Sequence, residues 1–124
     1  MSDLRILFVE DNYVSSLLSC GFLRDLGYEV IEAFSADEAF DVIDRHDGLA
    51  ALVTDINLGA GDDGFEVARR ARLAYPDLPV VYVSAAAAAR FALEGVKPAE
   101  FIAKPFHPRQ IMTALGRVLH LDAA

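Results

Sequence analysis

Apolar and polar positions alternate between two periods along the chain. Residues 4–9 (LRILFV), 50–54 and 80–84 are short, nearly continuous apolar runs, the pattern of parallel strands covered on both faces. Residues 28–33 are half-polar, as an outer strand would be, and residues 100–103 complete five strand candidates. Helical segments lie between them. Residues 13–26 stop at Gly27, a residue suited to a left-handed cap. Ser35 and Glu38 form a capping-box pattern that opens 36–45. Asp62 or Asp63 can cap 65–74, which ends before Pro76. Residues 85–94 end at Gly95, and their five consecutive alanines, Ala85 to Ala89, suit a smooth helix. Pro108 fits the first turn of 108–119, where Ile111, Leu115, Val118 and Leu119 share one face. Five rounds of strand and helix predict an open, doubly wound α/β fold.

Composition narrows what such a fold can do. At 124 residues the chain fits one domain, 1–124, with a core spanning 4–119. A net charge of −8 and a pI of about 4.7 argue against a nucleic-acid surface, which needs a basic patch. Arg69, Arg70 and Arg72 form one local cluster, expected on a solvated helix face. The single cysteine, Cys20, cannot form an internal disulfide and is expected in the core. No apolar segment approaches membrane-spanning length and no signal peptide is visible, so no membrane partner is expected and the expected location is cytoplasmic.

Ligands of open α/β sheets bind beyond the carboxyl ends of the strands. Those ends carry Glu10 and Asp11 after the first run, Asp55 after the third, Ser84 after the fourth and Lys104 after the fifth. Adjacent like charges such as Glu10 and Asp11 do nothing for a strand's own stability, and carboxylates crowded together call for a cation or a raised pKa. An all-oxygen donor set with room for water suits Mg²⁺ (or Mn²⁺), whereas His46, His107 and His120 all fall elsewhere. Metal, carboxylate nucleophile, hydroxyl and lysine together suit phosphoryl transfer through an aspartyl phosphate.

The stretches LFVEDN, LVTDINL, VVYVSA and FIAKPF, in this order and spacing, resemble the receiver domain of two-component response regulators over residues 4–119. The resemblance implies a (βα)5 flavodoxin-like three-layer sandwich with strand order 2-1-3-4-5. It also assigns roles. Asp55 is the expected phosphoacceptor and Asp11 a direct metal ligand. Glu10 holds the metal or its water, and Asn57 lends a backbone carbonyl. Ser84 is the switch hydroxyl, Lys104 pairs with the phosphate, Phe101 is the switch aromatic, and the Lys104–Pro105 peptide is expected to be cis. Three departures accompany the likeness: Gly59 stands where the family usually has proline, the GAGDDG loop is one residue longer, and Glu10 replaces the commoner aspartate.

The expected function is a phosphorylation-dependent signalling switch and not an enzyme acting on other substrates. A sensor histidine kinase or histidine phosphotransfer protein is the expected donor to Asp55. The segment 85–94, the fifth strand and the last helix then signal to a downstream protein, and a homodimer is compatible with this. The short tail after residue 119 and Met1 favour a single-domain regulator acting alone or as a phosphate shuttle. Three rivals stand beside it. A pseudo-receiver module would lack the acceptor, the acidic pair or the lysine. An aspartate-nucleophile phosphohydrolase would carry a second aspartate at position 57. An FMN carrier would need a Ser/Thr/Gly-rich loop where EDNYVSS stands.

Overall fold

The computed structural model describes residues 4–45, 48–59, 61–85 and 99–119. The strands are β1 (Arg5–Val9), β2 (Glu29–Ala33), β3 (Ala51–Asp55), β4 (Val80–Ser84) and β5 (Ala99–Ala103). All pair in parallel, in the order β2-β1-β3-β4-β5. Among the described residues the helices are α1 (Tyr13–Asp25), α2 (Ala36–Asp44), α3 (Gly64–Ala74) and α4 (Pro108–Val118). The helix expected over 85–94 falls, except for Ala85, outside the described residues.

Burial along each strand follows its place in the sheet. The central strands β3 and β4 are buried at every position, while β2 and β5 at the edges are buried in part. That is why residues 50–54 and 80–84 are nearly continuously apolar and residues 28–33 are not. Alternate side chains feed two cores. One, with Leu7, Val9, Leu52, Phe65 and Tyr82, lies under α2 and α3; the other, with Ile6, Phe8, Leu23, Val53, Ile111 and Leu115, lies under α1 and α4. Each fully buried large apolar side chain contributes about 1.5–3 kcal/mol of transfer free energy.

The helix ends show how local sequence sets the loops around the strand termini. Asn12 caps α1, its side-chain oxygen accepting from Ser15 N at 2.9 Å. Gly27, at φ 100°, takes the left-handed position past the end of α1. Ser35 caps α2, and Glu38 reaches back to Phe34 N at 2.9 Å, one residue before the Ser35 amide of the usual reciprocal box. Asp63, and not Asp62, caps α3. His107 caps α4 reciprocally with Gln110, so this residue is a helix cap.

Candidate functional site

Parallel pairing brings the carboxyl ends of β1, β3, β4 and β5 to one edge, and the sequence's polar strand-end residues with them. Glu10 follows β1 and is 3% exposed; Asp55 ends β3 and is 5% exposed. The Glu10 amide donates to Ala33 O at 3.0 Å, which fixes its backbone to β2. Its side chain accepts from Asn12 N at 3.1 Å and from Lys104 Nζ at 3.2 Å. The same Nζ donates to Asp55 Oδ2 at 2.9 Å. Glu10, Asp11 and Asp55 each offer a carboxylate oxygen, all within 4.8 Å of one another. Three carboxylates therefore crowd together, and two of them, Glu10 and Asp55, share one ammonium group.

The electrostatic consequences follow from this crowding. Burial raises the Glu10 pKa, and the neighbouring Asp55 carboxylate adds to the rise against the Asn12 amide. Burial, then the Glu10 carboxylate, raises that of Asp11. Burial alone would lower Lys104, but the hydrogen bond and charge of Asp55, with those of Glu10, outweigh it and leave the ammonium above its ordinary range. The donor set is all oxygen and excessively negative, the combination a hard divalent cation satisfies.

The remaining strand-end residues complete the edge. Ser84, the last residue of β4, is fully buried, and Asn57 Nδ2 approaches its Oγ at 3.5 Å. Lys104 N donates to Ser84 O at 3.0 Å, extending the β4–β5 ladder by one residue. The Lys104–Pro105 peptide is cis. Phe101 lies within β5 in register with Tyr82, partly buried against the core under α2 and α3. Asn57 itself is exposed in the loop after β3.

Two glycines shape that loop. Gly59 has φ 81°, which proline, locked near −65°, cannot adopt. The departure from the family pattern at this position thus coincides with a backbone conformation closed to proline. A Cβ on Gly64 would lie 2.2 Å from Asp55 O, so only glycine lets the start of α3 close on the backbone of Asp55. Gly64 N donates to Ile56 O at 2.8 Å, and Thr54 Oγ1 to Asp55 O at 2.9 Å, fixing the two peptide groups that follow Asp55. Sequence reasoning missed Asn12, Thr54 and Gly64 as supports. An Asx residue directly before a helical run was the available signal for Asn12; the other two depend on chain crossings that no local pattern encodes.

Residues 6–116 match the family described as the response regulator receiver domain. The fold superposes on a response regulator receiver protein from Sinorhizobium medicae WSM419 with a TM-score of 0.91 and 32% identity, covering 96% of both chains. The receiver domain of the sensor histidine kinase PA1611 from Pseudomonas aeruginosa PAO1, solved with magnesium coordinated in its active-site cleft, is similar at TM-score 0.82 and 26% identity, covering 96% of this chain and 99% of that one. The response regulator receiver protein CpdR of Brucella abortus is 29% identical over 93% of this chain and 96% of its own length. Two other curated relatives are longer, and the chain spans 24% and 52% of their lengths.

Proposed function

The chain belongs to the response regulator receiver domain family, a family of signalling switches, and on that premise we propose that Asp55 accepts a phosphoryl group in a metal-dependent reaction. The observation that carries this reading is Lys104 Nζ, 2.9 Å from Asp55 and 3.2 Å from Glu10, two members of a cluster of three carboxylates. Asp11, Asp55, the Asn57 backbone carbonyl and Glu10, directly or through water, would hold Mg²⁺ or Mn²⁺. Bound there, the ion supplies positive charge to the phosphoryl oxygens.

A carboxylate oxygen of Asp55 attacks phosphorus as the bond from phosphorus to the donor's imidazole nitrogen breaks, and the freed imidazole keeps the electron pair. Lys104 turns from Asp55 and Glu10 to a phosphoryl oxygen, exchanging carboxylate partners for a more highly charged one. The Ser84 hydroxyl donates to another phosphoryl oxygen. Phe101, one strand over, takes up the volume left near Ser84 and so changes the surface of β5 and α4 offered to a downstream protein.

The donor is a sensor histidine kinase or histidine phosphotransfer protein. The exposed face of α1 supports a docking helix there: Tyr13, Val14, Leu17 and Leu18 are 59–70% exposed, an apolar stripe beginning two residues from Asp11. Leu18 also borders a cavity of about 410 Å³ whose wall includes Lys104, Pro105 and Phe106, so the stripe runs into the site. Among the described residues no helix is long and apolar enough to cross a membrane, which is compatible with a cytoplasmic role.

The test is incubation with acetyl phosphate and Mg²⁺, read by intact mass. The wild type should gain one phosphoryl group, and Asp55→Asn or omission of Mg²⁺ should abolish the gain. An equal gain in Asp55→Asn would remove Asp55 from its role.

A further inference from the structure

A partly buried polar network between α1 and β2 has no part in the chemistry above. Ser16 is fully buried, and its Oγ donates to Glu32 Oε1 at 2.9 Å while touching Cys20 Sγ at 3.6 Å. The other oxygen, Glu32 Oε2, accepts from Arg24 Nη2 at 3.0 Å, and that nitrogen also donates to Val30 O at 3.0 Å. One carboxylate thus clamps the first and last turns of α1 to the edge strand β2. A helix packed only on apolar side chains can slide and rotate; one held at both ends by hydrogen bonds with fixed directions cannot do so cheaply.

The Ser16 end of the clamp leads back to the metal cluster. Ser16 N donates to Asn12 O at 3.0 Å, and Asn12 N donates to Glu10 Oε2 at 3.1 Å. Glu10 N donates to Ala33 O at 3.0 Å, and Ala33 is the neighbour of Glu32. The bonds close a ring through Glu10, Asn12, Ser16, Glu32 and Ala33. Within it the Glu10 carboxylate takes its direction from an amide whose place is set by the first turn of α1. The Arg24 end lies two turns away and holds no atom of the ring except Glu32.

We propose that Ser16 and Glu32 are positioning residues for the cation cluster: their hydrogen bond fixes the first turn of α1, and through Asn12 it aims the Glu10 carboxylate. The proposal rests on the reading of Glu10, Asp11 and Asp55 as a divalent-cation site. Outer hydrogen-bond partners of metal ligands are worth about 10–100-fold in affinity, and one further bond out about 3–10-fold is expected.

The experiment is a calorimetric Mg²⁺ titration of the intact chain and of Ser16→Ala, Arg24→Met, Glu32→Gln and Glu32→Ala, beside urea unfolding of each. Ser16→Ala and Arg24→Met each strip one partner from Glu32 and should both lower stability. Only Ser16→Ala should weaken Mg²⁺, about 3–10-fold, and excess Mg²⁺ should restore its phosphorylation rate with acetyl phosphate. Glu32→Gln keeps an acceptor for Ser16 and should bind Mg²⁺ within twofold of wild type, roughly the scatter of such titrations. Should Ser16→Ala be too unstable to titrate, Glu32→Ala carries the same expectation from a partly exposed position. Wild-type affinity in Ser16→Ala and Glu32→Ala, or equal weakening in Arg24→Met, would overturn the positioning role and leave the metal site standing. Absence of Mg²⁺ binding in the wild type would overturn the metal site and the positioning role together.

Discussion

Replacing Gly64 by alanine puts a methyl carbon where the backbone of Asp55 already stands. The added Cβ would lie 2.2 Å from Asp55 O, 2.9 Å from Ile56 Cα and 3.0 Å from Asp55 C. All three contacts are with backbone, so no side chain can rotate away, and the first turn of α3 must retreat by about 1 Å to restore van der Waals separation. Overpacking of this kind costs about 1–3 kcal/mol. The gain from replacing a helical glycine is at most about 1 kcal/mol, and Gly64 is the first residue of α3, where the gain is smaller. The net loss is about 2 kcal/mol, or about 8 °C in Tm at ~4 °C per kcal/mol for a domain of this size. Retreat also pulls the Gly64 amide from Ile56 O, now at 2.8 Å, and shifts the backbone that aims Asp55. Urea unfolding with Mg²⁺ calorimetry reads both effects. Gly21→Ala is the internal control: it lies within α1 with nothing within 4 Å of its added carbon, and should stabilise by about 0.5–1 kcal/mol. Stability of Gly64→Ala within about 0.5 kcal/mol of wild type, with unchanged Mg²⁺ affinity, would refute the close-approach reasoning.

Three further outcomes are expected. Lys104→Met leaves Glu10 and Asp55 facing each other without their shared cation; the metal-free protein should lose roughly 2 kcal/mol in urea at pH 7, a loss that Mg²⁺ reduces. Gly59→Pro, although it restores the common family residue, demands φ near −65° where the chain has 81°, and should weaken Mg²⁺ binding in calorimetry. Burial pushes the Cys20 thiol up from 9.0 to about 11, so its thiolate fraction at pH 8 is about a hundredfold below that of the unfolded chain. Iodoacetamide should therefore modify Cys20 rapidly in urea and very slowly in the native state. The sign for stability is unfavourable to alkali: this contribution is complete below pH 9 and is lost as pH rises through 11. Tyr28, raised by burial, acts in the same direction. Equal native and denatured alkylation would contradict it.

The residues gathered at the sheet's carboxyl edge were legible in the sequence because the topology alone delivers them. A parallel α/β sheet places every strand's carboxyl end on one edge, so Glu10, Asp11, Asp55, Ser84 and Lys104 needed only correct strand ends, and those fell within one residue of the structure. Strand order was a different matter. No periodicity says that β1 pairs with both β2 and β3, and the order followed from the resemblance alone. What escaped was whatever depends on two segments crossing. Glu32 marked β2 as an outer, half-polar strand, whereas its carboxylate is engaged by Ser16 and Arg24 on a helix that the intervening turn at Gly27 folds back over it. Nothing in the sequence marked His107 as a cap, because that role depends on Nδ1 facing the Arg109 amide, a matter of rotamer. The arginine cluster was rightly placed on a helix face. Arg70 pairs with Asp44 and lies over the Phe40 ring, so two of its contacts hold α3 to α2.

The shared lysine explains why the supports of Glu10 matter. In the metal-free protein Lys104 divides its charge between Asp55 and Glu10, and Asp11 has no comparable partner among the described residues. In the proposed mechanism, once Lys104 turns to a phosphoryl group on Asp55, Glu10 keeps only the Asn12 amide as a protein donor among the described residues. The carboxylate is then held by that single amide and by whatever cation the cluster binds. A loose first turn of α1 would let Glu10 swing just when its charge is least compensated. A turn pinned through Ser16 to Glu32 keeps it aimed, with the edge strand β2 as anchor. The same helix presents Tyr13, Val14, Leu17 and Leu18 to solvent, so whatever fixes its rotation also fixes where a docking partner meets the site. On that proposal metal affinity and donor recognition share one mechanical element, and Ser16→Ala or Glu32→Ala should alter both together.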